Sequence, residues 1–144
     1  MSRESFLRWN VMINVLMALS INTAATVLGG GDTVSGWFQG CCCAFTINTV
    51  AAVVLPMGKI GRWFSQDLFH TKEGTFPEML ARIFIVNAIY VTIVSFSMAV
   101  IHVGLNSATF GTWISTYFQL HLVGLVTNLA IEKPVTALNA RIGD

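Results

Sequence analysis

Four long apolar runs alternate with polar breaks along the chain. The first covers about residues 9–28 and stops at three consecutive glycines, Gly29, Gly30 and Gly31, which continue a helix poorly. The second covers about residues 34–55, opens near Trp37 and is stopped by Pro56. The third, about residues 83–103, follows Phe76, Pro77 and Glu78, a helix start with proline and an acid in its first turn. The fourth, about residues 110–131, closes at Glu132, Lys133 and Pro134, leaving a short amphipathic tail. Each run has the ~20 residues that cross ~30 Å of hydrocarbon at 1.5 Å per residue. None contains Asp, Glu, Lys or Arg. The pattern predicts an all-α membrane protein with four transmembrane helices in one domain, residues 1–144.

The polar breaks are unequal. Asp32 or Thr33 can cap the second helix after the glycine turn, and residues 104–107 make a second short, uncharged turn. The connection of about residues 58–81 is longer and charged, and its part 60–69 mixes apolar and charged residues, as a short interfacial helix does. The chain thus reads as two tandem helical hairpins, repeat one about 8–63 and repeat two about 82–141. Arg8 precedes Asn14 by six positions and Arg82 precedes Asn87 by five. Trp37 precedes Pro56 by 19, and Trp113 precedes Pro134 by 21. Each repeat has an even number of spans, so both copies point the same way, as in parallel-repeat transporters.

Composition sharpens the picture. Of 144 residues 54% are hydrophobic and 10% charged, against roughly 25% charged in soluble domains. A net charge of +1 argues against nucleic acid as a partner. The eight Lys and Arg residues fall before the first run (Arg3, Arg8), in the central connection (Lys59, Arg62, Lys72, Arg82) and after the fourth run (Lys133, Arg141), and none in the two short turns. The positive-inside bias places both termini and the central connection in the cytoplasm. Trp9, Trp37, Trp63 and Trp113 fall near span ends, where indoles prefer to sit.

The first span with Leu16, Met17, Ala18, Leu19 and Ser20, the small turn, the Trp opening the second span, and the basic end of Pro56, Met57, Gly58, Lys59, Ile60, Gly61 and Arg62 together resemble the DUF2798 family of small bacterial membrane proteins. The resemblance covers both hairpins, the first better than the second. Span four departs from it with His121 and span two with three cysteines. The family's function is unknown, so the resemblance implies a multi-pass protein of the bacterial cytoplasmic (inner) membrane and carries over no catalytic residue.

Candidate chemistry is sparse. No carboxylate lies in a span, which weakens a proton-coupled pump. His102 falls at the end of span three, near water; His121 falls mid-span and needs a partner. The ordinary account of His121 is a hydrogen bond to another helix; the functional one is a ligand contact or a proton-sensitive gate. At about 100° per residue, Trp113, Tyr117, His121, Gly124 and Asn128 share one face. Trp37 and Asn48 share a face of span two, and Asn87 belongs to one of span three. With Asn14 they form a candidate ligand-binding face, though polar residues also serve as glue between membrane helices. Cys41, Cys42 and Cys43 point ~100° apart on a helix and cannot chelate one ion, so they read as packing residues. His70 with Asp67 and Glu73 reads as a solvated loop. No catalytic set, nucleotide fingerprint, metal site or cofactor is expected.

Three functions fit: a small transporter or channel for a small solute, acting as a homodimer in the lipid; a non-catalytic membrane scaffold or accessory subunit; and a membrane enzyme on a lipid-like substrate. The topology is testable directly. Ser107→Cys, in a chain whose native cysteines are replaced, reacts with a membrane-impermeant maleimide only from outside the cell. Labelling only from the cytoplasm overturns the orientation.

Overall fold

The computed structural model describes residues 2–143, which are helical apart from short connections. Helix α1 (Arg3–Leu28) starts at Ser2, whose side chain accepts from Ser5 N–H. It ends at the glycines, and Gly30 and Gly31 take positive φ values of 90° and 97° that side chains disfavour. Helix α2 (Val34–Val54) is capped by Thr33, whose hydroxyl accepts from Gly36 N–H at 3.0 Å. After Pro56 comes α3 (Met57–Arg62), which runs on as one π-helical turn, Trp63–Leu68. The central connection is therefore helical over residues 57–68, where its mixed apolar and charged composition predicts a short helix. Helix α4 (Phe76–Val103) starts at the expected proline and acid. Gly104, at φ 80°, and Asn106 turn the chain into α5 (Ser107–Gly143).

Four helices, α1, α2, α4 and α5, are long and apolar enough to cross a membrane, consistent with a multi-pass membrane protein. α1 packs on α2 and α5, and α4 packs on the same two. Around the bundle the order is α1, α2, α4, α5. The tight turns make consecutive helices antiparallel, so each helix runs against both its neighbours. Apolar residues cover the outside. Phe110, Ile114, Phe118, Leu122 and Val126, every fourth residue of α5, are all more than half exposed. The inside holds amides: Asn14, Asn22, Asn48 and Asn87 are 8% exposed or less. A surface this apolar suits lipid as the surrounding solvent.

The fourth helix departs from expectation. Pro134 does not end it; α5 continues unbroken for nine residues more. An internal proline costs about 3 kcal/mol through its missing N–H and its ring clash. The segment beyond it is held to the start of α1. Trp9 Nε1 donates to Thr136 Oγ1 at 3.1 Å, and Asn139 Nδ2 donates to Ser5 O and Oγ at 3.0 and 2.8 Å. Arg8 Nε reaches Asn139 Oδ1 at 3.5 Å, and Val135 is buried with the core. These contacts offset the proline. At 37 residues α5 is about 55 Å long, well beyond the ~30 Å of a hydrocarbon core.

Removing the Asn139 side chain is expected to cost about 1–3 kcal/mol, because it leaves half-buried Ser5 and Arg8 without their partner. Thermal unfolding of Asn139→Ala in detergent measures this, and hydrogen exchange at the start of α1 is expected to rise with it.

Candidate functional site

The aromatic and polar face of α5 lies along α4. Asn87 is fully buried and sits over Gly124, where any Cβ would strike its carboxamide. Its Nδ2 donates to the His121 carbonyl at 2.9 Å and faces His121 Nδ1 at 3.1 Å, while its Oδ1 accepts from Asn128 Nδ2 at 3.4 Å. An amide N–H pointing at Nδ1 makes that nitrogen the acceptor and places the imidazole proton on Nε2. Nε2 is buried without a polar partner. The ring stands edge-on to Phe84, centroids 5.0 Å apart, and stacks on Tyr117.

One and two turns further out, the hydroxyls of α4 act as relays. Thr92 donates to its own Ala88 carbonyl at 2.7 Å and lies 3.0 Å from Tyr117 OH, so the tyrosine is the donor between them. Ser95 donates to Val91 O and accepts from Trp113 Nε1 at 2.9 Å. At the far end Arg82 is held by Glu132 at 2.7 Å and by Glu78 at 3.5 Å. The pair α4–α5 is therefore fastened from Arg82 with Glu132 to Ser95 with Trp113.

The first hairpin uses the same parts. Trp37 Nε1 donates to Thr23 Oγ1 at 3.0 Å. Asn22 Nδ2 donates to the Trp37 carbonyl at 2.9 Å and lies over Gly40. In both hairpins, then, a buried asparagine donates to one carbonyl and covers the glycine three residues later: Trp37 with Gly40, and His121 with Gly124. Asn14, the residue spaced like Asn87 in the sequence, does something else. It is bonded to Asn10 on its own helix at 2.5 Å.

Two cavities open inside the bundle. The larger, about 660 Å³, lies toward the end that carries α3; Asn10, Asn14, Asn48, Tyr90 and Asn128 supply its polar wall, and Lys59, Arg62 and Arg82 stand at that end. The smaller, about 390 Å³, lies toward the opposite turns and is lined by Asn22, Asp32, Ser95, His102 and Trp113 among others. Met17 lines the larger cavity, and Ile21 and Leu120 line the smaller. These three and Val91 pack into one buried cluster that separates the cavities.

The candidate face therefore divides. Asn14, Asn48 and Asn128 line the larger cavity, and Trp113 lines the smaller one. Asn87, Tyr117 and His121 are committed to the α4–α5 bonds and line neither cavity. Trp37 braces the first hairpin. Sequence reasoning did not single out Asn10, Asn22 or Tyr90. Asn10 had a signal, since it precedes Asn14 by one helical turn. Cys41 is buried against Asn22 while Cys42 is exposed, and among the described residues no cluster of His, Cys, Asp or Glu could hold a metal ion. No family model, curated protein or solved structure matches the chain.

Gly124→Ala is expected to lose about 1–3 kcal/mol, because the new methyl displaces the Asn87 carboxamide from a packed interface. Gly111, with open space around its Cβ position, is the control. Gly111→Ala is expected to be neutral or to gain up to about 1 kcal/mol from helix propensity. Detergent melting midpoints of the two variants give the comparison.

Proposed function

We propose that the chain is a small transporter or channel of the bacterial inner membrane that passes a small solute between the two cavities. Both termini and the α3 connection lie on the cytoplasmic side, as the distribution of Lys and Arg supports. The two hairpins are a tandem repeat, a reading supported by the asparagine-over-glycine contact they share, and the resemblance to the DUF2798 family belongs to the same reading. The protein acts as a homodimer, since four helices alone enclose little space.

The observation that carries the proposal is the pair of cavities at opposite ends of one bundle, parted by a thin apolar plug. Polar walls on both sides of a short apolar constriction are the form of a gated conduit. One observation favours the scaffold reading instead: His121 and Tyr117 are used for packing rather than for lining a cavity. The enzyme reading lacks support, because Nδ1 of His121 is occupied by Asn87 and no carboxylate contacts the ring among the described residues.

The plug decides between conduit and scaffold. Met17→Ala and Leu120→Ala, made singly, each cost about 2–5 kcal/mol of packing. In proteoliposomes, folded Met17→Ala protein is expected to raise glycerol permeability several-fold over wild type, read by stopped-flow light scattering. A destabilised but impermeable pair of variants overturns the conduit and favours the scaffold.

A further inference from the structure

The larger cavity, at the α3 end and so the inner one in the proposed orientation, carries chemistry that the protein itself leaves unmatched. Asn48 is 2% exposed, lines the cavity and has no hydrogen-bond partner for its Oδ1. A buried acceptor left unpaired costs about 1–3 kcal/mol, so the site favours a donor. In the same cavity Lys59 and Arg62, on α3, pair with no carboxylate among the described residues, whereas Arg82 is matched by Glu78 and Glu132. The cavity wall includes no Asp or Glu. An ammonium donor would therefore enter a basic site with nothing to neutralise it, and a hydroxyl would not. Ile13, Met17 and Ala52 add apolar surface to the same wall.

We infer that the inner cavity binds an organic anion that carries a hydroxyl group. The anionic end lies by Lys59 and Arg62, and the hydroxyl donates to Asn48 Oδ1. This names the solute class of the proposed conduit and rests on the inner cavity being its solute site. Two sources share that chemistry, a soluble hydroxylated phosphate ester and the headgroup of phosphatidylglycerol. The cavity volume of about 660 Å³ accepts either.

The test is thermal unfolding of the full chain in detergent, titrated with sn-glycerol 3-phosphate or with dioleoyl phosphatidylglycerol, phosphatidylcholine serving as control. At least one of the two probes is expected to raise the melting midpoint above the control. A shift with the soluble ester identifies a soluble solute; a shift with the lipid alone identifies a headgroup. Asn48→Ala is expected to weaken binding about five- to tenfold, the loss of one hydrogen bond, while the unliganded midpoint stays level or rises. Arg62→Gln, a substitution at an exposed position, is expected to weaken it at least as much. No shift with either probe, or Asn48→Ala and Arg62→Gln binding like wild type, overturns the inference. The glycerol leak through Met17→Ala needs no anion, so the conduit stands or falls separately.

Discussion

An amide buried in an apolar bundle must find its partners inside the protein, and the structure depends on how Asn87 does so. Water is absent from hydrocarbon, and each unsatisfied polar group there costs several kcal/mol. Asn87 spends its donor on the His121 backbone and ring and its acceptor on Asn128. That geometry needs close approach, which Gly124 provides by having no side chain. Lipid gives no hydrophobic push between apolar helices, so such contacts and close packing fix which faces meet. Asn22 over Gly40 sets the phase of the first hairpin by the same means.

Once α4 and α5 are fixed in that phase, the rest of the interior follows. The aromatic face of α5 is turned onto α4, and the adjoining stripe, from Phe110 to Val126, is turned outward. Asn128 sits at the border and reaches both Asn87 and the larger cavity. α1 then closes the bundle by lying along α5, tied at Trp9 and Ser5 to the helix beyond Pro134. Those ties hold the charged end together while leaving the space around Asn14 and Asn48 open.

The spans were legible because length and apolarity alone mark them, and the triple glycine, Pro56 and Pro77 punctuate them. The rotational phase of each helix was not. In a soluble protein polar residues point outward and reveal the buried face; here both lipid and core accept Val, Phe and Leu. The α5 face from Trp113 to Asn128 was visible as a stripe, yet its destination depended on Asn87 and Gly124 meeting. Pairing Asn14 with Asn87 by spacing missed this, since Asn22 is the residue that covers a glycine in the first hairpin. Pro134 misled for a related reason. A proline signals a helix end only when nothing beyond it is held, and Thr136 and Asn139 find partners more than 120 positions away.

The interior thus contains two kinds of asparagine. Asn22 and Asn87 each donate to a backbone carbonyl across their hairpin and so rigidify it. Asn48 is equally buried but has an open acceptor, in a cavity rather than at an interface. An alanine there would pack without that penalty. A donor that enters the cavity recovers the free energy lost at Asn48. A site of that kind favours the occupied state by the amount it penalises the empty one. Stability and occupancy are in this way coupled through one side chain, six residues from the end of α2 and close in sequence to the basic segment beyond Pro56.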